Sequence, residues 1–321
     1  MKYFKIKSGN EELEFSKVIV GSTMSMAGMG EKDIFRIYDK YAELGGNSID
    51  TARAYNNYQA EGMVARWLQT RKDKDRFVIT TKGGQPKEET PEVGRIDKAS
   101  LEEDLNASLK ALNTDHIDLY WVHKDDETYP AEKLIETMND FKKAGKIRMF
   151  GCSNWSIARI EKANAYAKEN GLEGFAASQI QWSLARTQIP EYFLTNFGSV
   201  CMDEKQYNWY YENNIPIFSF SSQAQGFFPR LDTLGKDGIP ADLLEQYGSG
   251  ENFDILERIR KYAKEHNATI SAVALAYLVN NKLSCAALIG AQSVEMLEES
   301  LKAVELDMSA EEADRLFYGE K

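Results

Sequence analysis

Short apolar, β-branched runs alternate along the chain with longer segments whose apolar positions recur every three or four residues. The runs are VIVG (18–21), NSID (47–50), FVITTK (77–82), HIDLYWVH (116–123), IRMFGCS (147–153), GFAASQI (174–180), IPIFSF (215–220) and CAALIG (285–290). Ahead of them KYFKIK, the turn SGNE and ELEFSKVIV read as a β-hairpin. Between the runs lie amphipathic helical segments. In EKDIFRIYDKYAELGG, Ile34, Ile37, Tyr38, Tyr41 and Leu44 share a face, and Gly45-Gly46 supplies a stop. In ASLEEDLNASLKAL, Leu101, Leu105 and Leu109 make the stripe, and Ser100 with Glu103 reads as a capping box. PAEKLIETMNDFKKAG and NFDILERIRKYAKEHNA repeat the design. Eight strands alternating with helices predict an α/β fold, a (β/α)8 TIM barrel with an N-terminal β-hairpin, spanning 1–321 as a single domain. A doubly wound open sheet is the second architecture. Residues 221–250 break the rhythm with a Gly-, Pro- and aromatic-containing stretch, of a length that marks a functional loop or a disordered one.

Composition narrows the function. A net charge of -11 argues against a nucleic-acid partner, which needs a basic surface. No apolar run approaches the roughly 20 residues of a membrane span, and the first residues lack a signal-peptide core, so a cytoplasmic location is expected. Cys152, Cys201 and Cys285 are scattered and odd in number, which points away from both a disulfide framework and a metal site.

In a barrel of this type, chemistry sits at the C-terminal ends of the strands. The second strand ends at Asp50, the third at Lys82 and the fourth at His123, while Tyr55 follows Asp50 in the next loop. Singly, each has a bland explanation: an aspartate at a strand end usually caps a helix, and a lysine is usually solvated. Together they suit proton transfer. A lysine ammonium beside a tyrosine favours tyrosinate and lowers its pKa, and Asp50 would keep Lys82 charged. His123, as a neutral donor, could point a carbonyl oxygen at Tyr55. His116 and His266 read as structural.

These residues carry a resemblance that runs over almost the whole chain. GNSIDTARAYNNYQAEG (with Glu61), ITTKGG and LYWVHKDD resemble the signature motifs of the aldo-keto reductases. The resemblance implies a catalytic tetrad of Asp50, Tyr55, Lys82 and His123, with Tyr55 as general acid/base in interconverting aldehydes or ketones and alcohols. It also implies NADP(H) as cofactor, with NAD(H) plausible, and a long cofactor-covering loop after strand 7. Ser153 and Asn154 of GCSNW and Gln179 of ASQIQW match the carboxamide-binding positions, and Phe220 matches the ring that stacks on nicotinamide, where the family usually has tyrosine. Further cofactor contacts are implied at Ser22, Thr23, Met24 and Asp50, at Ser221, Gln223 and Gln225, and at Gly290, Gln292, Met296, Glu299 and Ser300. No G-x-G-x-x-G follows the first strand, as expected for a family that lays the dinucleotide across the barrel mouth.

The departure from the family lies in LIGAQSVEMLEESL. Gly290, Gln292 and Met296 stand where basic contacts to a 2′-phosphate are expected, and a glutamine cannot neutralise a phosphate as arginine does. Weak discrimination between NADPH and NADH follows. Arg53, Lys124, Trp155 and Trp182 flank the catalytic and cofactor positions and point to a polar, sugar-like carbonyl substrate. Two other readings stay open here: a Schiff-base aldolase using Lys82, and a nucleotide-sensing non-enzymatic subunit of the same fold, resembling the potassium-channel β-subunits.

Overall fold

The computed structural model describes residues 1–23 and 28–320, apart from the side chains at 196 and 197. Two antiparallel strands, β1 (Tyr3–Ser8) and β2 (Glu11–Ser16), form the expected hairpin, turning at Gly9 with φ of 58°. Eight parallel strands follow. They are β3 (Val18–Gly21), β4 (Ser48–Asp50), β5 (Val78–Gly83), β6 (Ile117–Val122), β7 (Ile147–Ser153), β8 (Ser178–Gln181), β9 (Ile217–Phe220) and β10 (Cys285–Ile289). They close into a barrel in chain order, with β10 pairing β3. The fold is a (β/α)8 TIM barrel with an N-terminal hairpin. Its strands read as continuous apolar runs because helices cover the outside while side chains fill the inside.

The hairpin plugs the end of the barrel where the strands begin. Phe4 and Phe15 meet Phe218 of β9 at centroid distances of 5.7 and 5.1 Å, beneath Trp121 and Met149. With that end sealed, the strands' C-terminal ends form the open mouth.

Three local expectations need correction. The helix Lys98–Leu112 is capped by Asp97, whose side chain accepts from the Ser100 backbone N–H, so Ser100 lies inside the first turn and is no capping-box residue. In the run 174–180 regular strand begins only at Ser178; the Phe175 N–H goes to the side chain of Asn164, while Ala176 and Ala177 still bond the backbone of β7. The stretch after β9, the seventh barrel strand, is helical rather than an irregular loop: Phe227–Leu234 and Ala241–Tyr247 are α-helices, flanked by 3₁₀ turns. Phe227, Phe228, Leu231, Leu243 and Tyr247 are buried and anchor it, and that burial is why the aromatic residues are there. Among the described residues no helix is long and apolar enough to cross a membrane.

Candidate active site

β4 is only three residues long, and the alternation of strand side chains sends Ser48 and Asp50 to one face and Ile49 to the other. The neighbouring β5 puts Thr80 and Lys82 on the same inner face. Lys82 Nζ donates to Asp50 Oδ2 at 2.5 Å and to the Thr51 carbonyl at 2.7 Å. Asp50 Oδ1 accepts from Thr80 Oγ1 at 2.6 Å and from Gln179 Nε2 at 3.2 Å. Lys82 is 1% exposed and Asp50 4%, so both charges are out of water and depend on one another. Burial works to lower the Lys82 pKa, but Asp50, and after it the neighbouring Tyr55, more than offset it and hold the ammonium above its ordinary range.

The loop leaving β4 brings Tyr55 over this pair. Lys82 Nζ lies 4.9 Å from the centre of the Tyr55 ring, and the His123 ring stands edge-on to it at 5.8 Å. Burial pushes the Tyr55 phenol up, Lys82 pulls it part of the way back, and the net shift is upward. The pull from lysine expected from the sequence is present, but burial outweighs it, so Tyr55 is protonated at neutral pH. Burial, then Lys82 and Lys124, holds His123 well below the usual imidazole range, which keeps it neutral.

Above these residues a cavity of about 820 Å³ runs across the mouth. On the β4–β7 side Tyr55, His123, Lys124 and Asn154 line it, with Ser199 from the chain after β8. Asp50, Ser153, Gln179 and Phe220 form its floor, and Gly21 and Thr23 flank them. On the β9–β10 side it is bounded by Ser221, Gln223 and Gln225, and opposite them by Gly290, Gln292, Met296, Glu299 and Ser300. Gln223 Nε2 donates to Ser300 Oγ at 3.1 Å, joining the segment after β9 to the helix Val294–Leu301. Thr269 and Lys302 hold Glu299. Asn154 uses one amide hydrogen on Ser153 Oγ and accepts from the Val200 N–H, leaving its second amide hydrogen for a ligand.

Four of the residues singled out from the sequence lie elsewhere, and one more cannot be placed. Ser22 is buried behind the wall, donating to Thr51 Oγ1 at 2.8 Å. Arg53 turns away from the cleft toward Glu61. Asn154 takes a left-handed φ of 62°, which swings the chain outward, so Trp155 packs on Phe175 under the Arg159 guanidinium. Trp182 packs against Tyr207 and Tyr277 and lines a separate groove. Met24 lies outside the described residues. The charged run after His123 also divides. Asp125 is held by Arg159 through two bonds of 2.9 and 3.0 Å, and Asp126 caps Thr128, so both acids serve the loop's own shape. Only Lys124 reaches the cleft, where Nζ donates to the Gly198 carbonyl and burial lowers its pKa to about 8.

Sequence reasoning missed Ser199, Arg230, Asp242, Leu243 and Ser271, all of which line the cavity. Arg230 lies one helical turn beyond Gly226, inside the stretch whose length had already marked it. Ser199 gave no signal of its own; a parallel bridge between Gln181 and Cys201 brings its segment back to the mouth.

The chain belongs to the aldo/keto reductase family, whose model matches residues 17–317. The family makes it an oxidoreductase of the carbonyl and alcohol class. It is 27% identical over 303 residues to an aryl-alcohol dehydrogenase of Pestalotiopsis microspora, covering 91% of this chain and 74% of that one. It is 28% identical over 325 residues to a norsolorinic acid reductase of Aspergillus flavus, covering 97% and 79%. The crystal structure of the thermostable aldo-keto reductase Tm1743 with the inhibitor epalrestat shares the fold, with a TM-score of 0.73, 21% identity and 100% of both chains covered.

Proposed function

We propose that the chain interconverts aldehydes or ketones and alcohols with a nicotinamide dinucleotide, NADP(H) or NAD(H), and that Tyr55 carries the proton. The observation that carries this reading is the Tyr55 ring, with the Lys82 ammonium and the neutral His123 both beside it, at a cleft across the barrel mouth. When bound, the dinucleotide supplies hydride to the carbonyl carbon. The donor set suits it. The Asn154 amide and the Gln179 carbonyl oxygen can serve its carboxamide, and the Phe220 ring at the cleft floor can stack on the nicotinamide. Ser221, Ala224, Gln225 and Gly226 all have left-handed φ and lead into the helix Phe227–Leu234, a backbone that can present N–H groups to a diphosphate.

The chain's own residues then manage the proton. Tyr55, protonated at rest, donates from its hydroxyl to the carbonyl oxygen as negative charge develops there. Lys82 stabilises the tyrosinate left behind, and Asp50 keeps Lys82 charged and in place. His123, neutral, offers a hydrogen bond that orients the oxygen. The same state of Lys82 disfavours a Schiff-base aldolase, because a protonated, ion-paired amine has no lone pair for imine formation.

Of the substrate classes at hand, we favour small hydroxylated carbonyls. Lys124, Asn154 and Ser199 make the wall beside Tyr55 and His123 polar, although Arg53, Trp155 and Trp182 give this preference no support. Three buried, free cysteines suit a reducing cytoplasm. The test follows NADH and NADPH absorbance with sugar-derived aldehydes and ketones, with benzaldehydes, and with the matching alcohols. Turnover is expected, with higher kcat/KM for the hydroxylated set. No turnover of any pair in either direction would overturn the reading, and higher values for the aryl set would overturn the substrate preference alone.

A further inference from the structure

We infer that Arg53 and Glu61 form a clasp that positions Tyr55 against Lys82, an inference that rests on the reading of Tyr55 as proton carrier. The loop carrying Tyr55 has an unusual backbone. Asn56, Asn57 and Tyr58 follow it with φ of 50°, 50° and 66°, three consecutive non-glycine residues in the left-handed region. Asparagine tolerates that region, whereas a tyrosine there is a true outlier and needs holding.

Arg53 is placed to hold it. Its Nη1 donates to the Tyr58 carbonyl at 3.2 Å, and its guanidinium lies 4.8 Å from the centre of the Tyr58 ring. The same Nη1 reaches Glu61 Oε2 at 3.4 Å, on the first turn of the helix Ala60–Gln69. Glu61 is wholly buried, and its other oxygen accepts from Thr81 Oγ1 at 2.6 Å. Thr81 is the strand neighbour of Lys82, and the backbone N–H of Arg53 donates to the Lys82 carbonyl at 3.0 Å. The contacts therefore close a ring from Lys82 through Arg53 and Glu61 to Thr81 and back to Lys82.

Tyr55 lies inside the segment this ring encloses. Its own N–H bonds to the Ala52 carbonyl, and its carbonyl accepts from Ala60. Arg53 and Glu61 do not line the cleft, so they act through the tyrosine as positioning residues. They tie the strand that carries the ammonium to the loop that carries the phenol. A buried carboxylate is costly unless paired, so Glu61 in turn holds the guanidinium over the turn.

The experiment measures reduction of 4-nitrobenzaldehyde by NADPH in the intact protein, with cofactor affinity read separately by fluorescence. Arg53→Met is expected to lower kcat about 10- to 100-fold, since displacement of a reacting group by an ångström can cost that much. KM and the cofactor Kd are expected to stay within about threefold, because neither ligand touches Arg53. Arg53→Lys is expected to recover little, since an ammonium lacks the planar fork. Adding Tyr58→Gly to Arg53→Met is expected to restore kcat about tenfold, because glycine takes a positive φ without strain. If Arg53→Met does not fold, Glu61→Gln serves, with a several-fold fall in kcat expected. An unchanged kcat, a rise in KM alone, or no recovery on adding Tyr58→Gly would each overturn the clasp. Tyr55→Phe is the control: activity surviving that change, or a wild-type protein that turns over no carbonyl with either NADPH or NADH, removes the reading of Tyr55 and the clasp with it. Loss in Tyr55→Phe beside full activity in Arg53→Met removes the clasp alone.

Discussion

The two sides of the cleft are built on different electrostatic plans. On the β4–β6 side the charges are buried and matched before any ligand arrives: Asp50 has Lys82, Thr80 and Gln179 around it, and Lys82 is 1% exposed. On the β9–β10 side the wall made by Gly290, Gln292 and a half-exposed Met296 is exposed and uncharged, and the charged Glu299, Arg230 and Asp242 are spread around it. The first plan fixes geometry and protonation, which is what a proton-transfer site needs. The second fixes little, and what binds there is selected by a few exchangeable side chains.

The sharpest break of the first side is Tyr55→Phe. It removes one hydroxyl and leaves the Asp50–Lys82 pair and the cofactor positions in place. Carbonyl reduction is expected to fall about 10²–10⁴-fold, the usual contribution of a positioned general acid. Cofactor affinity, measured by fluorescence titration, should stay near wild type. Unchanged turnover would take Tyr55 out of the chemistry.

Next in size is Asp50→Asn, which keeps the shape of the side chain but strands the Lys82 ammonium. Removing one partner of a buried pair costs about 3–5 kcal/mol, readable as a lower urea midpoint at neutral pH. The pH dependence has a definite sign. The folded pKa of Lys82 is raised, so its pairing contributes stability that is fully present below the unfolded lysine pKa and is lost as pH rises through the folded one. The gap between wild type and variant should therefore be wide from neutral pH up to about pH 10 and close above it. A gap that widened with pH would mean that the pair is not ionised as drawn.

The same contrast explains what the sequence made legible. Strand ends are set by a period of two and by barrel closure, so Asp50, Lys82 and His123 could be placed from their strands alone. Loop side chains obey no such rule. Trp155 follows Ser153 and Asn154 at once, yet the left-handed Asn154 sends it to the outer layer. Arg53 sits between Asp50 and Tyr55 but is claimed by Glu61, eight residues on. Of the acids after His123, Asp125 is claimed by Arg159 of the helix Ile157–Glu169, and Asp126 turns back to Thr128. Ser199 and Arg230 reach the cleft only through long-range packing. The stretch after β9 was recognised by its length, while its helices depended on burial of Phe227 and Leu231, the first helix packing on the helix Ile270–Val279.

Lys124 tests the boundary between the two plans, because it is charged, half-buried and at the cleft wall. Burial lowers its pKa to about 8, so its charge costs stability in the folded state. The sign is opposite to that of Lys82. The penalty is present below the folded value and fades as pH rises from about 8 toward the unfolded lysine value. Lys124→Met should raise stability near neutral pH by on the order of 1–2 kcal/mol, after allowing for the partial solvent contact and the lost polar contacts, the bond to Gly198 among them. Thermal melts at pH 7 and pH 10 should show that advantage shrinking. A variant less stable at pH 7 would mean that the polar contacts of Lys124 outweigh desolvation.

The smallest expected effect lies on the β9–β10 side and concerns cofactor choice. Gln292 and Met296 line the cleft where a 2′-phosphate contact is expected, and neither carries charge. Wild-type Kd values for NADPH and NADH are therefore expected within about tenfold of each other, since an unpaired phosphate gains little from a neutral donor. Gln292→Arg should shift the ratio toward NADPH by about tenfold, the size of one exposed charge-assisted contact, while leaving NADH nearly unchanged. The complication is Arg230, which also lines the cleft and supplies a guanidinium from the opposite wall. If the wild type already prefers NADPH a hundredfold and Arg230→Ala abolishes that preference, the phosphate sits against the helix after β9. The assignment of Gln292 and Met296 to its pocket would then fall. If Arg230→Ala weakens both cofactors equally, Arg230 meets a phosphate they share, and Gln292 remains the position at which discrimination is set.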